Sequence, residues 1–197
     1  MEEFKGPELC LVGGSTWPED EEVLLSFINS DTSGVKFIIA PHKIDAGKIE
    51  SFRSKLNKAS VLYSKKEAVD LSNFQVLIVD TIGILTKIYS YADIAYVGGA
   101  MGSTGLHNIL EPATFGVPIV IGDQFSNFPE AIRLRQLAGL FSISNAAECK
   151  AILEKLVSEP QFRSATGMIN GHFVNSNTGA TRIIMEYIDR LHRDRLV

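Results

Sequence analysis

Residues 96–128 read YVGGAMGSTGLHNILEPATFGVPIVIGDQFSNF, two apolar runs on either side of a glycine-rich, polar segment. Apolar, strand-like runs at Ile94 to Val97 and Pro118 to Ile121 flank a segment holding Gly98, Gly99, Gly102 and Gly105, then His107, Asn108 and Glu111. Glycines cluster where the backbone needs positive φ or must come close to something bulky. A strand that ends in such a loop and leads into a helix presents N–H groups and the positive end of a helix dipole, which suit an anion such as phosphate. Asn108 has the chemistry of an N-cap and Pro112 fits a first helical turn, so Glu111 is expected at the mouth of a short helix running towards Phe115. There its carboxylate can accept hydrogen bonds from vicinal sugar hydroxyls. A first-turn Glu is also favoured by the helix dipole alone, so a purely structural reading stands beside the functional one.

Outward from this stretch the same strand-loop-helix unit recurs. Glu8 to Gly13 reads as a strand that closes in Gly13, Gly14, Ser15 and Thr16, and Trp17 and Pro18 lead into a helix near Asp20 to Asn29. Val35 to Ala40 is a buried strand stopping at Pro41 and His42, with Lys43 on the same loop, before a helix over Ala46 to Leu56 and a short strand at Ser60 to Tyr63. Gln75 to Val79 is followed by Asp80, Thr81, Ile82 and Gly83, then a helix through Tyr91. Beyond the central stretch come a helix from Phe128 to Ala138, a strand at Leu140 to Ile143 and a helix over Ala146 to Ser158. Asn127 is either a ligand contact or the N-cap of the helix containing Pro129. After Pro160 the pattern predicts a helix over Phe162 to Val174 broken near Gly171, and a strongly amphipathic helix from Ala180 to Arg193 that packs on its own core or covers a partner domain.

Alternating β and α units with apolar strands imply a parallel sheet covered on both faces, an α/β domain of the doubly wound, Rossmann-like kind. Ligands of such sheets bind outside the carboxyl ends of the strands. Each polar cluster follows such an end: Gly14 to Thr16, His42 and Lys43, Asp80 to Gly83, Gly98 to Glu111, and Gly122 to Asn127. The clusters are expected to converge on one site.

Composition narrows what that site serves. With 197 residues the chain buries one sizeable core. A net charge of −4, with basic residues scattered apart from Arg190, Arg193 and Arg195, supplies no footprint for nucleic acid and no polybasic membrane patch. Cys10 and Cys149 fall in apolar settings and read as core residues of a protein from a reducing compartment, with neither a disulfide framework nor a metal site. No apolar run approaches the roughly 20 residues that span a bilayer, and Met1 opens on Glu2 and Glu3, so the expectation is a soluble, cytoplasmic chain. The absence of an Asp-x-Asp or His-Cys cluster predicts no bound cation. Ser15 lacks the surroundings of a nucleophile elbow. His42 and His107 have no carboxylate neighbour in sequence and read as hydrogen-bonding loop residues sooner than as general bases. Trp17 reads as core or interface packing, and Asp80 lacks the acidic company of a phosphoacceptor.

The order Gly-Ser-Thr-Trp, a His-bearing loop, Asp-Thr-Ile-Gly, Tyr-x-x-Ala-Asp-Ile-Ala-Tyr-Val-Gly-Gly and His-Asn-x-Leu-Glu-Pro resembles the C-terminal half of the 3-deoxy-D-manno-octulosonic acid (Kdo) transferases of lipopolysaccharide synthesis. The likeness runs from about Gly13 to the end of the chain and is most specific at His107, Asn108, Leu110, Glu111 and Pro112, with Gly116, Pro118, Asn127 and Phe128. It implies one half of a GT-B fold: a single donor-binding domain over residues 1–197, without the N-terminal domain that supplies the membrane anchor, the acceptor surface and a carboxylate base. The implied reaction is inverting transfer of Kdo from CMP-Kdo to a lipid A precursor, without metal or other cofactor. The full-length enzyme would work at the cytoplasmic face of the bacterial inner membrane, and this domain alone would be inactive, with no catalytic residue of its own. Carried over residue by residue, the resemblance puts Asn108 and Glu111 on the cytidine nucleotide, Glu111 on its ribose. Thr81, Ile82 and Gly83 would approach the nucleotide through backbone, Pro41 and His42 would line the same crevice, and Ser15, Thr16, Gly98 and Gly99 would face the phosphate and sugar. Where the family commonly carries Arg-His and further basic residues, this chain has Pro41, His42 and Lys43, which leaves phosphate neutralisation to Lys43. Two other readings fit the residues: the nucleotide half of a GT-B enzyme using a UDP-sugar, and a noncatalytic nucleotide-binding module.

Overall fold

The computed structural model describes residues 1–194, so Arg195, one of the three basic residues noted near the C-terminus, lies outside the described residues. The chain runs α1 (Glu2–Lys5), β1 (Cys10–Thr16), α2 (Pro18–Ser30), β2 (Lys36–Pro41), α3 (Ala46–Ser54), β3 (Ser60–Leu62), β4 (Val76–Ile78), α4 (Leu85–Ile88) and β5 (Ile94–Val97). It continues through α5 (Leu110–Thr114), β6 (Ile119–Gly122), α6 (Pro129–Gln136), β7 (Leu140–Ile143), α7 (Ala146–Ser158), α8 (Pro160–Ser176) and α9 (Ala180–Asp194).

The strands form one sheet in the order β3-β4-β2-β1-β5-β6-β7, every pair parallel. Its strand residues alternate between two apolar layers, as the period-2 geometry of a strand buried on both faces requires. Val12, Ile38 and Leu77 point into one layer with Ala113 of α5 and Leu134 of α6. Leu11, Phe37, Ile39 and Ile78 point into the other with Leu24 and Phe27 of α2, Phe52 of α3 and Leu153 of α7. Each such fully buried aliphatic contributes about 1.5–3 kcal/mol relative to exposure. From β1 the chain passes to β2 beside it, on to the edge strand β3 and back to β4 between β3 and β2, then crosses to β5, which lies on β1's other side. The order reverses between β1 and β5, and the crevice at such a switch point is where doubly wound sheets take ligands.

The expected fold class is therefore the observed one, and the departures are local. Strand β1 continues past Gly13 through Thr16, with a register irregularity between Gly14 and Thr16, where Ser15 takes a φ of 52°. Helix α8 is unbroken at Gly171, because its glycines are contact points: a Cβ on Gly167 would collide with the Gly116 carbonyl, and one on Gly171 would touch the Gly116 Cα at 3.5 Å. Helix α8 is further tied down by the buried Asn170, whose Nδ2 donates to the carbonyls of Val117 and Gly139, both at 2.7 Å. Helix α6 is capped at Phe128, and Asn127 is exposed. Helix α9 is not packed on the core: Ile183 is 62% exposed and Tyr187 59%. Cys10 and Cys149 are buried free thiols, each pushed up to about 12 by loss of water.

Candidate functional site

The carboxyl ends of β1 and β5 are held at a fixed separation by the buried Asp20 of α2. Its Oδ2 accepts the N–H groups of Trp17 and Gly99, each at 2.9 Å, and its Oδ1 accepts the Tyr96 hydroxyl at 2.8 Å. Gly98 must be glycine here, since a Cβ would overlap the Ser15 carbonyl and approach Asp20 Oδ2 to 2.8 Å. Burial raises the Asp20 pKa, and these hydrogen bonds oppose the shift.

Above this junction opens a cleft of about 280 Å³, lined by Ser15, Gly83, Leu85, Thr86, Tyr89, Val97, His107, Asn108 and Glu111. Asn108 behaves as its side chain predicts: Oδ1 accepts the Leu110 N–H at 3.0 Å, although the formal cap of α5 is Ile109. Glu111 stands in the first turn of α5 with both oxygens engaged. Oε1 accepts from Asn108 Nδ2 at 3.2 Å and Oε2 from the Thr86 hydroxyl at 3.1 Å. The floor is Tyr89, buried beneath Gly14, where any Cβ would overlap its hydroxyl; burial first, and the Glu111 charge second, hold that phenol in its neutral form.

Beside the cleft three rings from three loops meet. His42 stacks on Trp17 with centroids 4.7 Å apart and on His107 at 4.3 Å, and the Trp17 indole N–H donates to His107 Nε2 at 3.2 Å. Lys43 Nζ lies 5.1 Å from the Trp17 ring centroid.

Ser15, Gly83, Asn108 and Glu111 are thus brought together, with His42 at the margin through His107. The other expected residues sit elsewhere. Thr16 donates its hydroxyl to Glu21 at 3.0 Å and, with Pro41 and Lys43, lines a separate small hollow on the other side of Trp17. This comes from the extended β1: continuing the strand one residue beyond Ser15 turns Thr16 to the opposite side. Thr81 and Ile82 are exposed at the loop tip, Ile82 at 82%, leaving Gly83 with a φ of 83° as that loop's member of the cleft wall. Gly98 and Gly99 lie buried below the cleft, their N–H groups donating to Gly14 O and Asp20 Oδ2, both at 2.9 Å. Asp80 accepts the Ser64 N–H at 2.8 Å and so fastens the turn after β3. Asp20, Thr86, Tyr89 and the role of Trp17 escape a reading of the sequence, since each acts through a partner remote along the chain. Among the described residues no group of three or more His, Cys, Asp or Glu is arranged to hold a metal ion, and no helix is long and apolar enough to cross a membrane.

A parallel seven-stranded sheet with its cleft at the β1/β5 reversal has the architecture of one Rossmann-like half of a GT-B glycosyltransferase. In sequence the chain is homologous to the 3-deoxy-D-manno-octulosonic acid transferases: it is 31% identical to that of Chlamydophila psittaci over 157 residues, covering 79% of this chain and 36% of the relative, and 30% identical to that of Aquifex aeolicus over 152 residues, covering 75% and 42%. A bifunctional glycosyltransferase/methyltransferase of Fusobacterium nucleatum is 29% identical over 182 residues, 91% of this chain and 28% of its own length. The chain thus spans less than half the length of these curated relatives. Among solved structures, the C-terminal CMP-Kdo binding domain of WaaA from Acinetobacter baumannii superposes with a TM-score of 0.72 at 24% identity, covering 88% of this chain and 92% of that one. The Anabaena protein HepE in complex with UDP-glucose superposes at 0.66 with 11% identity, covering 95% and 49%. No protein-family model matches the chain.

Proposed function

We propose that this chain is the donor-binding half of a Kdo transferase and that the cleft at the β1/β5 reversal receives CMP-Kdo. The observation that carries the reading is the Asn108–Glu111 pair, a carboxylate and an amide held side by side at the cleft mouth by Thr86 and the start of α5. Glu111 accepts the ribose hydroxyls on the lone pairs left free, while the Thr86 and Asn108 donors keep its carboxylate oriented. Asn108 retains an amide for the nucleotide, and the Gly83 loop approaches it through backbone. The sugar and its phosphate lie towards Ser15 and His107.

In the whole protein an acceptor hydroxyl of a lipid A precursor attacks the anomeric carbon of Kdo, CMP departs, and the configuration inverts. The proton goes to a carboxylate of an N-terminal domain, which also provides the acceptor surface and the attachment to the cytoplasmic face of the inner membrane. This domain contributes orientation and stabilisation of the leaving phosphate, needs no metal or other cofactor, and is inactive alone. Lys43 joins the phosphate only by leaving the Trp17 face.

The test is a calorimetric titration of the chain with CMP and with UMP, repeated on Asn108→Ala and Glu111→Ala with folding checked by amide NMR. Selective CMP binding lost in both variants is expected. Preference for UMP would move the chain to a UDP-sugar enzyme, and CMP binding indifferent to both substitutions would remove the site.

A further inference from the structure

We infer that Trp17 is a positioning residue for the cleft: its indole N–H fixes His107 as the neutral Nδ1–H tautomer, so that this histidine offers the cleft a hydrogen-bond donor and does not act as a base. An indole N–H can only donate, so the His107 Nε2 that faces it at 3.2 Å carries no proton. In a neutral imidazole the proton is then on Nδ1. The nitrogen that could take up a proton is already occupied, and the remaining polar hydrogen of this cleft-lining ring is a donor.

The surroundings defend that state. Protonating Nε2 would set two N–H donors against each other and place a cation 4.3 Å, ring to ring, from His42. Burial lowers the His107 pKa most, His42 lowers it further, and the Asp20 carboxylate pulls it the other way. The remaining charged groups on the elements around it are Glu19, Glu21 and Glu22 of α2, Lys43 beyond β2 and Glu111 of α5. The stack on His42, with planes 25° and 27° from parallel, holds both rings in register for the hydrogen bond. A neutral, oriented donor suits an acceptor oxygen that gains negative charge, as a leaving phosphate does, because nothing has to reorganise when the charge appears. That last assignment rests on the proposed donor site; the tautomer does not.

Trp17 is the single tryptophan of the chain, so its replacement by β-(3-benzothienyl)alanine during expression, which exchanges the indole N–H for sulfur in a ring of nearly the same shape, alters one site only. Nitrogen-15 NMR of the four histidines, with His107 assigned through its own variant, reads the tautomer and pKa directly in ligand-free protein. We expect His107 protonated on Nδ1 in the unmodified chain. In the sulfur isostere it should drift towards Nε2–H, with its pKa rising by roughly half to one unit, because a hydrogen bond favouring the neutral form is gone. Trp17→Phe should give the same shifts and serves if the analogue impairs folding. A His107 protonated on Nε2 in the unmodified chain, or one indifferent to loss of the indole N–H in a folded variant, overturns the inference. CMP titration then separates the two proposals: an Nδ1–H His107 in a chain that ignores CMP leaves the tautomer standing and sinks the donor site.

Discussion

Asp20 Oδ2 accepts the Gly99 N–H at 2.9 Å, across 79 residues of sequence, and this bond closes the β1 end of the sheet onto the β5 end beneath the cleft. The same carboxylate serves Trp17 N–H and Tyr96 O–H, so Asp20→Ala strands three donors, two of them on the loops that shape the site. The expected loss of stability is on the order of 3–5 kcal/mol, measured by urea unfolding. Tyr96→Phe removes one donor and leaves the carboxylate its two backbone partners, so it should cost about 1 kcal/mol. Equal losses in the two variants would mean that the hydroxyl alone matters.

Burial raises the pKa of Asp20, and likewise that of Glu21, whose side chain accepts the Thr16 hydroxyl. Between the ordinary carboxylate value and the raised one, the folded chain holds more protons than the unfolded chain. Stability from these groups is therefore complete below the ordinary value and is lost as pH rises through the raised one. Unfolding midpoints measured upward from about pH 4 should show this decline on top of the other carboxylates. Asp20→Asn keeps a neutral group of the same shape, so its profile should be flatter over that window; parallel profiles would contradict the direction of the shift.

Thr86 comes into view as a cleft residue only in three dimensions. Its hydroxyl donates to Glu111 Oε2 at 3.1 Å from the start of α4, 25 residues earlier in the chain. Thr86→Val preserves shape and removes the donor, leaving Glu111 free to rotate away from the cleft. A net hydrogen bond of about 1 kcal/mol corresponds to a loss of roughly five-fold in nucleotide affinity with the fold unchanged. Calorimetry on the folded variant decides it: unaltered affinity would show that Asn108 alone orients the carboxylate.

What is legible in the sequence is set by locality. The apolar runs and the glycine, proline and acid signals beside them are local, so the α/β alternation, the parallel sheet and the Asn108–Glu111 turn can all be read from it, and the helix expected over Ala146–Ser158 matches α7 to the residue. Gly171 misleads because glycine in a helix looks alike whether it breaks the helix or lets another backbone approach, and only the Gly116 contact tells the two apart. Trp17 reads as packing, since nothing within its own loop indicates that His42 and His107 will arrive beside it. The extension of β1 through Thr16, which takes Thr16 out of the cleft and leaves Ser15 in it, depends on pairing with β2 and on room above Tyr89, both of them tertiary facts.

Helix α9 is open to solvent along its apolar side. Its spacing, with Ile183, Ile184, Tyr187, Ile188 and Leu191 on one side, is that of a helix meant to be covered, yet Ile184 is 56% exposed and Leu191 46%. Side chains left this open bury little area and so contribute little to holding the sheet and its layers together. The junction with α8 is lenient too: Gly179 has a φ of 105° with nothing within 4 Å of its Cβ position, so no packing at that glycine ties α9 to the rest of the domain. Ending the chain after Thr178 should therefore move the urea midpoint by less than the equivalent of about 1 kcal/mol and leave nucleotide affinity unchanged, while reducing any concentration-dependent association of the longer chain. Sedimentation and unfolding on the two chains check both halves. A shortened chain that unfolds several kcal/mol more easily would show that α9 packs on the domain in solution.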